Sequence, residues 1–397
     1  MSAFLTGVGA VGGIPLFSRQ VGEERPEGIP FATLAALNGV NLFARLNHAD
    51  LLSAASRNTQ INWKVFNKSI VLIVIVTESP STLDHVEQQV IQKTLQHIYD
   101  SLVLCCGLEE LVSQNIERLK RSLKCAYPLV DHFLRLLISP PTHPNLMRGC
   151  VNSLYIESHV NDFVKSLAES YSAVASSDFS CIIVNGFIIA GSKGWWSRLS
   201  HSKDAFLVVN LVNAISATFS PEVQTREIPI FLPENCPDTV TRLLVSEVHP
   251  NVFMVLLCGE TPALQFIEET LEPVRYSDQH QKNLSLISSM RSCSFLPIDE
   301  RIMCFALFRE DHRTLLRYGN YDQRKTQEML VMISMTSSSS ASEQFVRFKH
   351  TTGFALTQSP LTLILFMSSE FSLNFVRATS LKTIAQFGDK KFLSQFN

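Results

Sequence analysis

Two glycine-rich segments are the first places in this chain to look for chemistry. Gly7, Gly9 and Gly12 stand in G-x-G-x-x-G spacing, which cradles a pyrophosphate when a strand leads in and a helix N-terminus follows. Here Ile14, Pro15, Leu16 and Phe17 follow, strand-like residues with the proline badly placed for that helix, so a hairpin turn is expected. Gly191-Ser192-Lys193-Gly194 resembles a phosphate loop or a nucleophile elbow in composition. It lacks the G-K-[ST] ending of the first and the G-x-S-x-G spacing of the second. The nine cysteines contain no C-x-x-C pair, and most lie in apolar runs where Cys serves as a small buried hydrophobe. That usage points to a reducing, cytosolic setting. The eleven histidines are dispersed, without an H-x-x-x-H pair. No nucleophile stands with a base and no carboxylate pair has ligand spacing, so catalytic, cofactor-binding and metal-ligating residues are all expected to be none.

Other residues suit binding better than catalysis. Trp195 and Trp196 are adjacent large aromatics, read as core packing across a domain junction or, less favoured, as an exposed anchor. Arg118, Arg121 and Lys124 fall about one helical turn apart. They form a solvated face or a docking stripe for an anionic membrane or an acidic partner. Asn38, Gly39, Val40, Leu42 and Phe43 lie on a predicted helix, beside a predicted strand carrying Trp63 and Phe66. A glycine inside a helix costs about 1 kcal/mol relative to alanine, and such a cost often accompanies close backbone approach. Asn38, Val40, Leu42, Phe43, Trp63 and Phe66 are therefore the candidate partner-binding set, with intramolecular packing as the competing reading.

The elements that carry these residues repeat. Apolar runs at 70–76, 252–258 and 361–367 each precede an acidic residue, Glu78, Glu260 or Glu370, and then a helical pattern. Uninterrupted runs of this kind read as strands buried on both faces. Before each run come two strands, a helix and two further strands. The fold class is therefore α+β: three units, each a five-stranded antiparallel sheet with one helix between its second and third strands and helices on its faces. The expected divisions are residues 1–138, a linker at 139–153 whose three prolines should stop any helix, 154–296 with an extra N-terminal helix, and 297–397. In the first unit the helices are placed at 31–46, 83–104 and 111–138. With 46% hydrophobic and 18% charged residues there is ample core, and a net charge of −2 gives no sign of nucleic-acid binding. Residues 2–17 are apolar but have no basic start and no small-residue cleavage site, so a signal peptide is not expected. The longest uncharged window, 351–369, is broken by Gly353 and Pro360, so a soluble protein is expected.

That order of elements is the longin order, and specific blocks sharpen the likeness. They are Ile14-Pro15-Leu16-Phe17-Ser18-Arg19, Leu37-Asn38-Gly39-Val40-Asn41-Leu42-Phe43, Asn62-Trp63-Lys64-Val65-Phe66, Gly107-Leu108-Glu109-Glu110-Leu111, Gly194-Trp195-Trp196 and Ile228-Pro229-Ile230-Phe231-Leu232-Pro233. Together they resemble the tri-longin planar cell polarity effectors. The resemblance implies a heterodimer with an Inturned-like partner that acts as a guanine-nucleotide exchange factor for a Rab-family or Rab-like small GTPase. It implies a Fritz-like third component, no cofactor, and a cytoplasmic protein recruited to the ciliary base or the apical cortex. It also implies support of cilium assembly, vesicle traffic or epidermal hair placement. A non-catalytic trafficking adaptor that binds through longin sheet surfaces is the alternative.

Overall fold

The computed structural model describes residues 1–10, 12–22, 29–77, 85–113, 115–154, 156, 158–220, 222–289 and 298–388. The chain divides into two compact units, one comprising residues 1–147 with 231–239, the other residues 148–230 with 240–397.

The first unit holds β1 (Ser2–Gly9), β2 (Pro15–Gly22), α1 (Phe31–Leu46), β3 (Ser53–Ala55), β4 (Thr59–Phe66) and β5 (Ile70–Thr77). The strands form one sheet in the order β2-β1-β5-β4-β3. β5 is central because every one of its residues except Thr77 is buried, as the unbroken apolar run requires. Alternation sends Val71 and Ile73 to one face, where they meet Val8, Ala10 and Trp63 beneath α1. The other face is covered by α2 (His85–Cys106) and α5 (Tyr127–Leu137), and the short α3 (Leu108–Leu111) and α4 (Ile116–Ser122) lie between these two in sequence. Phe66 stacks on Tyr99 there, the ring centroids 4.2 Å apart. Arg19 on β2 donates from Nε to Asp131 on α5 at 2.7 Å and lies 4.6 Å over the Tyr127 ring.

The glycine hairpin is the expected turn: Gly9 donates its backbone N–H to Ile14 O at 2.9 Å, and no helix follows. Gly7 is needed for another reason, since a Cβ there would sit 2.3 Å from the Phe17 ring. The helix expected over 111–138 is instead α4, a 3₁₀ turn (Leu123–Ala126) and α5. Pro128 falls in the first turn of α5, where a proline lacks only a donor that would go unused. The acidic hinge at Glu78 and the helix start at Leu83 lie outside the described residues.

The linker is more structured than three prolines suggest. A 3₁₀ turn (Pro140–Thr142), α6 (His143–Arg148) and β6 (Val151–Asn152) occupy it. The prolines do not stop helices because Pro140 and Pro144 stand where helices begin.

Two sheets belong to the second unit, apart from the strand ends that fall within residues 231–239 of the first unit. The first sheet uses α7 (Ser158–Val174), β7 (Phe179–Val184), β8 (Phe187–Gly191), α8 (Lys203–Ile215), β9 (Thr225–Leu232), β10 (Cys236–His249), β11 (Val252–Cys258), α9 (Leu264–Tyr276) and α10 (Asp278–Ser289), with the strand order β8-β7-β11-β10-β9. Those strand ends are the end of β9 and the start of β10. The second sheet uses β12 (Ile302–Arg309), β13 (Thr314–Gly319), α11 (Gln323–Ser338), β14 (Glu343–Arg347), β15 (Thr351–Gln358), β16 (Leu361–Ser368) and α12 (Leu373–Gly388). Its order, β13-β12-β16-β15-β14, repeats the other two, and β6 adds a sixth strand parallel to β13.

The two sheets of this unit meet around the tryptophans. Trp195 and Trp196 are buried in a π-helical turn. Trp196 lies 5.1 Å from the His312 ring, which the β12–β13 turn carries. Ser200 Oγ and His312 Nδ1 are 3.1 Å apart. Arg148 reaches Glu310 at 3.2 Å and donates to Thr336 Oγ1 at 2.7 Å.

Candidate partner-binding surface

α1 is a helix turned inside out. Of its sixteen residues only Leu34, Asn38 and Asn41 are buried. Asn38 Oδ1, Asn41 Nδ2 and both side-chain polar atoms of Asn62 are buried without a hydrogen-bond partner among the described residues. Trp63 Nε1 donates to Leu37 O at 3.2 Å, and half-buried Leu37 packs on the thin core beneath. The outward side carries apolar groups instead: Val40, Phe43 and Leu46 are 53%, 70% and 80% exposed, and Phe31 at the start of the helix is 68% exposed. Ala32, Ala35, Ala36 and Gly39 are exposed on the same side, and Arg45 is the helix's one charged residue. At 100° per residue, positions 32, 36, 39, 43 and 46 fall on a single stripe.

Among the described residues nothing approaches Gly39 within 4 Å of where its Cβ would be, so none of them makes a packing demand for the mid-helix glycine. α1 also lacks a side-chain cap at its N-terminus, where Pro30 has no polar side-chain atom to offer, while at the C-terminus Asn47 Nδ2 donates to Phe43 O at 2.8 Å. A weakly capped helix with polar atoms inward and an uncharged, small-and-aromatic face outward is suited to receiving a second helix or sheet.

The six candidate residues separate. Val40 and Phe43 are exposed on this face, and Leu42 is half-buried at its side. Asn38, Trp63 and Phe66 are buried and not available as surface contacts. Trp63 and Phe66 are three apart on a strand, so they point to opposite sides of the sheet, one under α1 and the other onto Tyr99. Leu46 belongs to the face and was missed; the signal was its spacing from Phe43 together with the asparagines on the far side, whereas Phe31 at the start of the helix lies about 120° round from Phe43.

The basic positions do not form one helical stripe. Arg118 lies on α4 and pairs with Glu110 at 2.9 Å, whereas Lys124 lies on the 3₁₀ turn beyond the end of α4. Arg121 and Lys124 are exposed. Trp195 and Trp196 are buried, so neither is an exposed anchor. A Cβ on Gly191 would come within 3.0 Å of the Trp195 ring, and one on Gly194 within 2.4 Å of Asp178 O. The Gly-Ser-Lys-Gly segment is thus built to admit the indoles. Its serine is engaged, with Ser192 Oγ accepting from the N–H of Ser180 at 3.1 Å and donating to Asp178 O.

The geometry agrees with the outcome of comparison with known proteins. A family model for the first longin domain of FUZ, MON1 and HPS1 matches residues 8–133, and one for their second longin domain matches residues 175–274. The chain belongs to this longin family. Protein fuzzy homolog of Xenopus tropicalis is 29% identical over 348 residues, 87% of this chain and 78% of the relative. Protein fuzzy homolog of Homo sapiens is 30% identical over 304 residues, 74% of this chain and 65% of the relative. α1 lies inside the first longin match, and the third sheet is longin-like by its strand order. Among the described residues no helix is long and apolar enough to cross a membrane.

Proposed function

We propose that this longin protein is one subunit of a heterodimer with an Inturned-like longin partner, and that the pair acts as a guanine-nucleotide exchange factor for a Rab-family or Rab-like GTPase. In this reading a Fritz-like protein joins the assembly, which works at the ciliary base or apical cortex in cilium assembly, polarised vesicle traffic or epidermal hair placement. The observation that carries the reading is the outward face of α1, with Val40, Phe43 and Leu46 exposed beside an open Gly39. Burying side chains of this size contributes about 1.5–3 kcal/mol each. Exchange needs no nucleophile or base. A platform that binds the empty GTPase better than the loaded one lowers nucleotide affinity by linkage. Arg121 and Lys124 would add a peripheral attraction to anionic membrane.

The test follows release of a fluorescent guanine nucleotide from a panel of Rab proteins, with this chain alone, the partner alone and both. Acceleration by the pair only is the expected result. Strong acceleration by the isolated chain would overturn the shared platform, and none by the pair would favour the adaptor.

A further inference from the structure

The fold brings Cys125 against an adjacent pair of cysteines, Cys105 and Cys106, from nineteen positions beyond Cys106. Cys105 and Cys106 end α2, and Cys125 lies in the 3₁₀ turn that leads into α5. Cys106 Sγ and Cys125 Sγ are 3.8 Å apart. Both thiols donate to one acceptor, Ser122 O, at 3.4 Å from Cys106 and 2.8 Å from Cys125. Cys125 is exposed, while Cys105 and Cys106 are half-buried. We propose that Cys125 and Cys106 form a peroxide-responsive thiol pair, Cys125 the attacking sulfur and Cys106 the resolving one.

The division of roles follows from surroundings. Cys125 can be reached from solvent, and the thiols of Cys105 and Cys106 and the backbone N–H groups of Cys125 and Ala126 all favour a negative sulfur there, so its proton is the first to leave. Cys106 is held as a thiol by the Cys125 sulfur, by burial and by the Glu110 carboxylate. Elsewhere burial pushes up the thiols of Cys150, Cys181 and Cys304, which leaves them inert.

The chemistry balances with hydrogen peroxide as the oxidant. The Cys125 thiolate attacks one peroxide oxygen, the O–O bond breaks, and the departing hydroxide takes a proton to become water. The sulfenic acid left on Cys125 is attacked by Cys106 Sγ. The S–O bond breaks and the oxygen leaves as a second water, carrying the Cys106 proton. Two electrons pass from the sulfurs to the peroxide. The sulfurs close from 3.8 Å to about 2.05 Å, joining the end of α2 to the turn before α5.

Differential alkylation of the full chain at pH 6 should label Cys125 more than about 10-fold faster than Cys236, the other exposed thiol among the described residues. Brief peroxide treatment should remove two hydrogens by intact mass, and peptide mapping should link Cys106 to Cys125. Cys106→Ser should leave a sulfenic acid on Cys125 that dimedone captures, and Cys105→Ser should leave the link intact. Equal labelling of Cys125 and Cys236 would overturn the proposal. So would a link through Cys105, or a Cys106→Ser variant that dimedone does not modify. The single-thiol variants remove only half-buried or exposed sulfurs, and unchanged far-ultraviolet circular dichroism confirms that they fold.

Discussion

α1, α8 and α11 occupy the same place in three sheets of identical core order, yet they bury different things. α8 buries ten of its thirteen residues, nearly all apolar. α11 is amphipathic, burying Met329, Leu330, Met332 and Ile333 while Arg324 is exposed. α1 buries one leucine and two asparagines and leaves its aromatics outside. Capping follows the same gradient: Ser202 caps α8 and Asp322 caps α11 through their side chains, but α1 has no such cap. A helix covered on every side becomes apolar all round, and one facing solvent becomes amphipathic. α1 has the outward composition of the first kind and the exposure of the second. The difference is that α1 alone of the three leaves aromatic and aliphatic side chains uncovered, which is the property the proposed partner surface rests on.

Matched charge insertions should break the comparison most visibly. Val208→Asp on α8 places a carboxylate at a fully buried position and should destabilise the fold by about 3–5 kcal/mol or prevent folding, as chemical denaturation would show. Phe43→Asp on α1 should change stability by less than about 0.5 kcal/mol yet abolish co-purification with the longin partner. Retained stoichiometric binding would place the interface elsewhere. Gly39→Ala sharpens the point, because it should have opposite signs in two assays. It should stabilise the isolated chain by about 0.5–1 kcal/mol, since the position is helical and open, and weaken partner binding measured by calorimetry. Stabilisation with unchanged affinity would mean that no backbone comes close there.

A pH effect should mark the covered side. Burial, then Arg309, lowers His312 from 6.5 to about 4, against the opposing pull of Asp311. The folded value is the lower, so the unfolded chain binds the extra proton between about pH 6.5 and 4. Stability should fall as pH drops through that window and level off below it. Thermal melts of wild type and His312→Gln at pH 7 and pH 5 would test this, the variant losing less; identical losses would exclude His312 as the source. The smallest effect is expected from Arg118→Gln, Arg121→Gln and Lys124→Gln together. Because Arg118 is already paired with Glu110, binding of the assembled complex to anionic liposomes should fall only modestly, and only at low salt.

Much of the fold was legible because its signals are local. The runs at 252–258 and 361–367 coincide with β11 and the body of β16, and α1 spans residues 31–46 as its spacing predicts. The orientation of α1 was not legible, since apolar spacing gives a helix without saying that asparagines would face the core. Trp63 and Phe66 were grouped by proximity in sequence, whereas strand alternation separates them. The cysteine cluster was invisible for the opposite reason: nineteen positions divide Cys106 from Cys125, and only the packing of α2 against the 3₁₀ turn closes that gap.

β6 has a consequence for how this gene can be cut. Its two residues pair with β13, and Ser153 beside it bridges to Ile188 on β8, so the segment that looks like a tether is stitched into both sheets of its unit. An expression fragment opened at residue 154 would begin with that seam missing and the Arg148 pairing lost. One opened at Arg148 would keep both, which makes residue 148, rather than the end of the proline-rich stretch, the better opening for dissecting the C-terminal pair of sheets, with residues 231–239 carried along from the first unit.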